Sequence, residues 1–261
     1  MDYLLVGSVA LLVATLTLFS GFGVGTLLLP AFAIFFPIQT AVAATAVVHL
    51  TNNIFKIALI GRNTDRRVLI RFGVAAVIFA FLGARALNAF ARLPEITSYQ
   101  LAGAERHVTP TGLVVGLLII TFALLDLIPA KKNRLEFGAK TLALGGALSG
   151  FFGGLSGHQG ALRSVFLIRA GLDRDAYIAT AAAASLLVDV TRLLVYGSGV
   201  IAIAGTAGRS AWPLVATACV CAFIGSFIGT RLVRKTTIKG LRLIVGVALL
   251  LAGAAMAMGL I

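Results

Sequence analysis

Eight apolar runs, at 3–36, 40–61, 68–90, 108–129, 138–169, 176–204, 211–233 and 240–261, divide the chain, with short polar stretches between them. Each is long enough for a membrane helix, since crossing the hydrocarbon takes roughly 20 residues. The dyad alternation of a membrane β-barrel is absent. The first and fifth runs, at more than 30 residues, exceed one crossing yet are short for two. Both are interrupted near the middle by glycine, in Ser20-Gly21-Phe22-Gly23-Val24-Gly25-Thr26 and in Ser149-Gly150-Phe151-Phe152-Gly153-Gly154-Leu155-Ser156-Gly157-His158-Gln159-Gly160.

The two breaks belong to a repeat. Gly25 and Gly160 are 135 residues apart, and so are Thr45 and Thr180, each at the centre of an Ala-Thr-Ala step. The pattern predicts an all-α integral membrane protein of two repeats, each a glycine-broken, hairpin-like first segment followed by three transmembrane helices. The expected division is 1–129, a basic cytoplasmic linker at 130–140, and 141–261. Charge sets the orientation. Basic clusters fall at Arg62, Arg66, Arg67 and Arg71, at Lys131, Lys132, Arg134 and Lys140, at Arg169 and Arg174, and at Arg231, Arg234, Lys235 and Lys239. If every run crossed once, the second and fourth clusters would lie on opposite sides, against the positive-inside bias. If run 138–169 enters, turns at Gly153–Gly160 and returns, all four face the cytoplasm and the halves are inverted relative to each other. Treating run 3–36 the same way puts both termini outside, and the polar loop 91–107 also lies outside, an ordered external cap in which His107 is solvated.

Composition agrees with a bilayer protein: 59% of the 261 residues are hydrophobic and 12% charged, with a mean hydropathy of +1.03. The net charge of +13 sits in loop clusters and makes no continuous basic face, so no nucleic-acid partner is implied. Cys219 and Cys221 read as free thiols. Asp2 and the lack of a basic leader point to a retained N-terminal anchor instead of a cleaved signal.

At membrane depth a non-helical backbone must be shielded from lipid, so the breaks belong in the interior or against a cavity. Half-helices meeting there aim free N–H groups and positive dipole ends at one point, for which a small anion is the natural guest. The competing reading is that the glycines only let helices pack closely. Candidate substrate contacts at the breaks are Gly23, Gly25 and Thr26, and Ser156, Gly157, His158, Gln159 and Gly160. On the second run His49, Asn52, Asn53 and Lys56 follow the spacing i, i+3, i+4, i+7 and share one helical face. Lys56 could instead snorkel to the cytoplasmic edge. Ser185, Asp189 and Arg192 keep the same rhythm in the second half, one residue out of the register set by the threonines. Asp189 and Arg192 are either an internal ion pair or a proton-coupling carboxylate beside an anion anchor. His158, His49 and Asp189 are the candidates for proton coupling.

An enzyme reading is weaker. Gly154-Leu155-Ser156-Gly157 has the form of a rhomboid-type intramembrane protease turn, but no histidine follows His158 to serve as the base on a later helix. The three histidines are scattered, so neither a metal site nor any cofactor is implied.

These residues resemble the TauE/SafE family of sulfite exporters, small bacterial and plant permeases for sulfur-containing anions. The resemblance is carried by Gly21-Phe22-Gly23-Val24-Gly25-Thr26-Leu27-Leu28-Leu29-Pro30, by Ala44-Thr45-Ala46, by the run from Gly153 to Gly160 and by Ala179-Thr180-Ala181, and its layout covers nearly the whole chain. His158 and Gln159 stand where the family has glycine or an aliphatic residue. The resemblance implies a permease for sulfite, thiosulfate or an organosulfonate such as sulfoacetate, in the cytoplasmic (inner) membrane of a bacterium. Amides at Gly23–Thr26 and Gly157–Gly160 would then hold the anion, with Asn53, His158 and Gln159 giving geometry and Lys56 or Arg192 giving charge. One bundle rocking against the other would supply alternating access. An anion channel, or a permease for a cation or another metabolite, stands as the alternative. Monomer and homodimer are both open.

Overall fold

A computed structural model describes residues 2–20, 24–101, 103–127, 138–197, 212–232 and 238–261. Among these the chain forms ten helices: α1 (Asp2–Ser20), α2 (Val24–Ala33), α3 (Ile38–Ile60), α4 (Arg66–Phe90), α5 (Pro110–Leu127), α6 (Ala139–Ser156), α7 (Gly160–Leu167), α8 (Arg174–Tyr196), α9 (Trp212–Leu232) and α10 (Ile238–Ala257). Three stretches, Ile38–Asn63, Arg66–Phe90 and Arg174–Tyr196, are long and apolar enough to cross a membrane by length and composition, and α1, α5, α9 and α10 carry shorter apolar segments. The first and fifth apolar runs are each split in two, as α1 with α2 and α6 with α7. The arms of the second pair are unequal. With 18 and 8 residues they are about 27 and 12 Å long. The turn lies at Gly157–Gln159, later than the middle of the Gly153–Gly160 stretch, because Gly153 and Gly154 continue the helix.

Polar residues punctuate the apolar runs. Asp65 caps α4 by accepting the Arg67 and Val68 amides, each at 2.9 Å, and Asp173 caps α8 by accepting the Ala176 amide at 2.8 Å. The Asp65 amide in turn donates to Thr180 Oγ1 at 2.9 Å, which gives the second Ala-Thr-Ala step a structural partner.

Small residues decide which helix faces meet. α6 runs along α4, α1 along α9, α5 along α10, and α3 against α8. In the first of these seams Gly146, Gly150 and Gly154 repeat every four residues on α6. A Cβ there would sit 2.0, 2.2 and 2.1 Å from the carbonyl oxygens of Phe72, Ala76 and Ala80. Gly83 of α4 answers in the same way, against the Phe151 carbonyl at 2.0 Å. A Cβ on Gly225 of α9 would lie 2.2 Å from the Leu11 carbonyl oxygen of α1, and one on Gly116 of α5 would lie 2.5 Å from the Gly253 carbonyl oxygen of α10. This is backbone-to-backbone packing of the kind that associates helices in lipid, where apolar side chains gain little by leaving the solvent. The opposite face of α4 fits the same account, for Ile70, Val74, Ile78 and Leu82 all point outward.

One departure from the all-α expectation lies between α4 and α5. Residues 91–108 include strands β1 (Thr97–Leu101) and β2 (Ala104–Val108), an antiparallel hairpin pairing Thr97 with Val108 and Leu101 with Ala104. Gly103, at φ +80°, supplies the left-handed turn residue. Tyr99 Oη donates to the Met258 carbonyl at 2.7 Å and Arg106 Nη1 to the Leu260 carbonyl at 3.2 Å, which fastens the hairpin to the chain beyond α10. His107 is exposed, as expected, but its Nδ1 is hydrogen-bonded to Glu95 Oε2 at 2.7 Å.

Candidate functional site

The polar stripes of α3 and α8 face each other, and Asp189 is where they join. Its Oδ2 lies 2.6 Å from His49 Nδ1. A carboxylate oxygen only accepts, so Nδ1 carries the proton and donates. Asn53 Nδ2 donates to the same oxygen at 3.3 Å. On the other side Oδ1 receives Arg192 Nε at 3.0 Å, Gln159 Nε2 at 3.3 Å and the Arg192 Nη2 ion-pair contact at 2.7 Å. Asp189 and Arg192 are both 0% exposed. A carboxylate is tolerated at such depth only when its charge is paired and its lone pairs are filled, and here four side chains fill them. Arg192 also reaches the Gly153 carbonyl through Nη1 at 3.4 Å, and Tyr196 Oη donates to the Gly154 carbonyl, so α8 grips the last turn of α6.

The second break is built against this centre. Gly157 has φ +83°, and its amide donates to the Gly153 carbonyl at 2.9 Å to close α6. A Cβ there would also lie 2.6 Å from Arg192 Nη1, so glycine answers both the backbone angle and the guanidinium. The Gln159 amide donates to the Gly157 carbonyl at 3.0 Å, and Ser149 Oγ donates to the Gln159 carbonyl at 3.1 Å. Two of the four expected amides, those of Gly157 and Gln159, are therefore engaged within the chain. Those of His158 and Gly160 have no partner among the described residues.

His158 is 2% exposed, and its ring stacks parallel to Phe122 of α5 with 6.1 Å between centroids. Its Nδ1 lies 3.1 Å from both the Ser156 carbonyl and Ser156 Oγ. A carbonyl accepts only, so Nδ1 holds the proton and Nε2 is the free nitrogen. Nε2 is buried with no hydrogen-bond partner among the described residues. The same assignment removes the base from a Ser156–His158 pair, because the imidazole nitrogen facing the hydroxyl is the protonated one. Ser156 Oγ instead donates to the Phe152 carbonyl at 3.2 Å.

The structure brings His49, Asn53, Gln159, Asp189 and Arg192 into one cluster, with Gly157 and His158 beside it. Asn52 points elsewhere, its Oδ1 accepting from Ser226 Oγ of α9 at 2.7 Å. Lys56 is half-buried one to two turns further along α3, and Arg163 lies on α7. Arg163 itself donates through Nη1 to Ser185 Oγ. Gly25 and Thr26 lie in the first turn of α2, with their side-chain positions outside the described residues. Gly23 lies outside them altogether.

Sequence reasoning did not assign roles to Ser149, Arg163 or Tyr196. Arg163 was the legible one, a cation on the first turn after a glycine break. Cys219 and Cys221 are free, and among the described residues no group of three potential metal ligands converges. A separate cavity of about 420 Å³ opens beneath the hairpin, with Gln39, Phe90, Arg106, Thr111 and Met256 among its walls. None of the residues predicted to bind substrate lines it.

The family model for the sulfite exporter TauE/SafE matches residues 6–256. No curated protein and no solved structure matches the chain. The matched span takes in both broken segments, the two facing stripes and every helix of the fold, and its family is one of transporters, with no enzyme among its roles. This multi-pass membrane protein belongs to the TauE/SafE sulfite exporter family.

Proposed function

We propose that the protein moves a small sulfur-containing anion, such as sulfite, thiosulfate or sulfoacetate, across the bacterial cytoplasmic membrane by alternating access. The observation that carries this reading is a buried polar centre drawn from both ends of the chain. His49 and Asn53 come from residues 1–129, and Gln159, Asp189 and Arg192 from residues 141–261. The helix contacts support an inverted repeat of these two segments. Exchanging the halves turns the α1–α9 contact into α6–α4 and returns α3–α8 and α5–α10 to themselves.

The anion's place is the break. The His158 and Gly160 amides, the start of α7 and His158 Nε2 supply polar groups there that have no partner among the described residues. Proton coupling acts through the carboxylate. With Asp189 ionised, the four side chains on it are locked. A proton on Asp189 turns one acceptor into a donor and loosens Arg192, whose Nη1 already lies against Gly157, toward an anion at the break. Loading the site and unlocking the contact between halves are then one event, which is what a carrier needs in order to move only when occupied.

The test is thermal stabilisation of the purified protein by anions, because a ligand that binds only the folded state raises its apparent stability. Sulfite, thiosulfate or a sulfonate should raise the melting temperature where chloride and sulfate do not, and the shift should vanish in His158→Ala. No shift with any sulfur oxyanion overturns the substrate assignment. Uptake into proteoliposomes separates carrier from channel, since the proposed carrier saturates and responds to an imposed proton gradient.

A further inference from the structure

The polar atoms left over at the second break are of two kinds. The His158 and Gly160 amides, with no partner among the described residues, are donors. His158 Nε2, buried and equally without a partner there, is an acceptor. That assignment follows from the other edge of the ring, where Nδ1 lies 3.1 Å from the Ser156 carbonyl oxygen. The carbonyl accepts only, so Nδ1 carries the proton and Nε2 the lone pair. The imidazole is neutral. It is 2% exposed, and its neighbours are that carbonyl, the Ser156 hydroxyl and the Phe122 ring, none of them an acid that could compensate an imidazolium.

The ionisable groups on the helices around the break are engaged elsewhere. Arg192 and Asp189 of α8 are paired with each other at 2.7 Å, and His49 of α3 donates to Asp189. Tyr196 of α8 donates to the Gly154 carbonyl, and Arg163 of α7 to Ser185 Oγ. α5 and α6 bring Phe122 and Ser156 to the ring, and neither is charged.

An acceptor inside an anion site discriminates by protonation. Against a bare oxyanion two lone pairs meet, and the buried nitrogen stays unpaired at the full cost of its desolvation. Against an anion that still holds a proton, the same contact is a hydrogen bond in which the ligand donates. Sulfite keeps a proton on a large share of its molecules near neutral pH. Sulfate, thiosulfate and the sulfonates lose theirs at far lower pH.

We infer that His158 Nε2 reads a proton on the substrate, so that the break takes hydrogen sulfite in preference to any fully ionised oxyanion. The ligand's O–H donates to Nε2, and the His158 and Gly160 amides of the same turn are available to its other oxygens. This rests on the transport reading above and deepens it: among the anions that reading allows it selects sulfite, and it gives the exclusion of sulfate a physical cause.

The test is calorimetric binding to the full chain in a nonionic detergent, with sulfite and selenite titrated over a range of pH. Selenite has the same pyramidal shape and keeps its proton to higher pH. Cys219→Ser and Cys221→Ser are introduced first, because selenite oxidises free thiols. Affinity for total sulfite should fall about tenfold for each pH unit above the point where sulfite ionises. The fall for selenite should come at higher pH, displaced by the difference between the two acids. A proton on Asp189 would act on both ligands at one pH, so the displacement isolates the contact to the ligand's own proton. A flat profile, or a fall at the same pH for both ligands, overturns the inference. At the acid end of the range sulfite should bind about tenfold or more tightly than thiosulfate and methanesulfonate. Equal affinity overturns the inference and leaves the transport reading standing, whereas absence of binding by every sulfur anion at every pH sinks both. His158→Gln can turn a donor toward a bare oxygen, and should bring the ratio toward one and flatten the sulfite profile. A His158→Gln protein that is folded by size exclusion and keeps both features overturns the role of His158, and the profiles of the parent protein decide the question should that variant not fold.

Discussion

Asp189→Ala should lower stability by about 3–5 kcal/mol, the usual cost of breaking a buried ion pair by removing one partner. The reason lies less in the bonds lost than in what stays behind. Arg192 is 0% exposed, and without Asp189 its guanidinium keeps the 3.4 Å contact to the Gly153 carbonyl but loses its carboxylate partner. His49, Asn53 and Gln159 lose their shared acceptor at the same time. Transport should be abolished. The double variant Asp189→Ala/Arg192→Leu removes the stranded charge as well, and should recover a large part of the stability but none of the transport. The check is the melting temperature of the three proteins in one detergent, with proteoliposome uptake alongside. A double variant less stable than the single one would show that Arg192 contributes by packing and not as a charge in need of a partner.

The second large effect is expected at the α4–α6 seam. Gly150→Leu should prevent α6 from seating, because even the first side-chain atom would lie 2.2 Å from the Ala76 carbonyl oxygen, which is fixed in a helix and cannot rotate away. Gly150→Ala requires the helices to separate along their length and should cost about 1–3 kcal/mol, the range for overpacking a close contact. Gly138→Ala is the control, since a Cβ there meets nothing within 4 Å among the described residues. Size-exclusion profiles and melting temperatures of the three variants give the order directly. If Gly150→Leu melts like the wild type, α6 does not rest on α4 as described.

The glycines show how far the sequence could be read. Two readings competed for the run from Ser149 to Gly160, a broken helix or close packing, and the answer is both, on different residues. Gly150 and Gly154 repeat at the spacing of one helix face and pack, whereas Gly157 turns the chain. Spacing alone could have separated them, had Gly146 been counted with the first two. The matched rhythm of His49, Asn53 and Lys56 with Ser185, Asp189 and Arg192 was also legible. That the stripes touch was not, because rhythm fixes a face and says nothing of which face it meets. Asn52 illustrates the limit: it shares the predicted stripe with His49, yet one residue's rotation around α3 turns it to Ser226. The hairpin at 97–108 was missed for a different reason. Its strands are five residues long; β1 is exposed at four of its five positions, and β2 alternates only between half-buried Ala104, Arg106 and Val108 and exposed Glu105 and His107, so the apolar alternation that marks a half-buried strand is weak in the sequence.

The pairing of α1 with α9 has a consequence for how the protein is made. About 210 residues separate the starts of these two helices, and at about 5–20 residues per second synthesis takes roughly 10–40 s to produce the second after the first. α4 waits about a third as long for α6. During that interval α1 must reside in lipid with its α9-facing side unmatched, which an apolar helix can do at little cost because hydrocarbon solvates it as well as a neighbour would. Assembly is therefore ordered by the ribosome: the α4–α6 seam can close while the last helices are still being synthesised, and the helix inserted first is among the last to be enclosed.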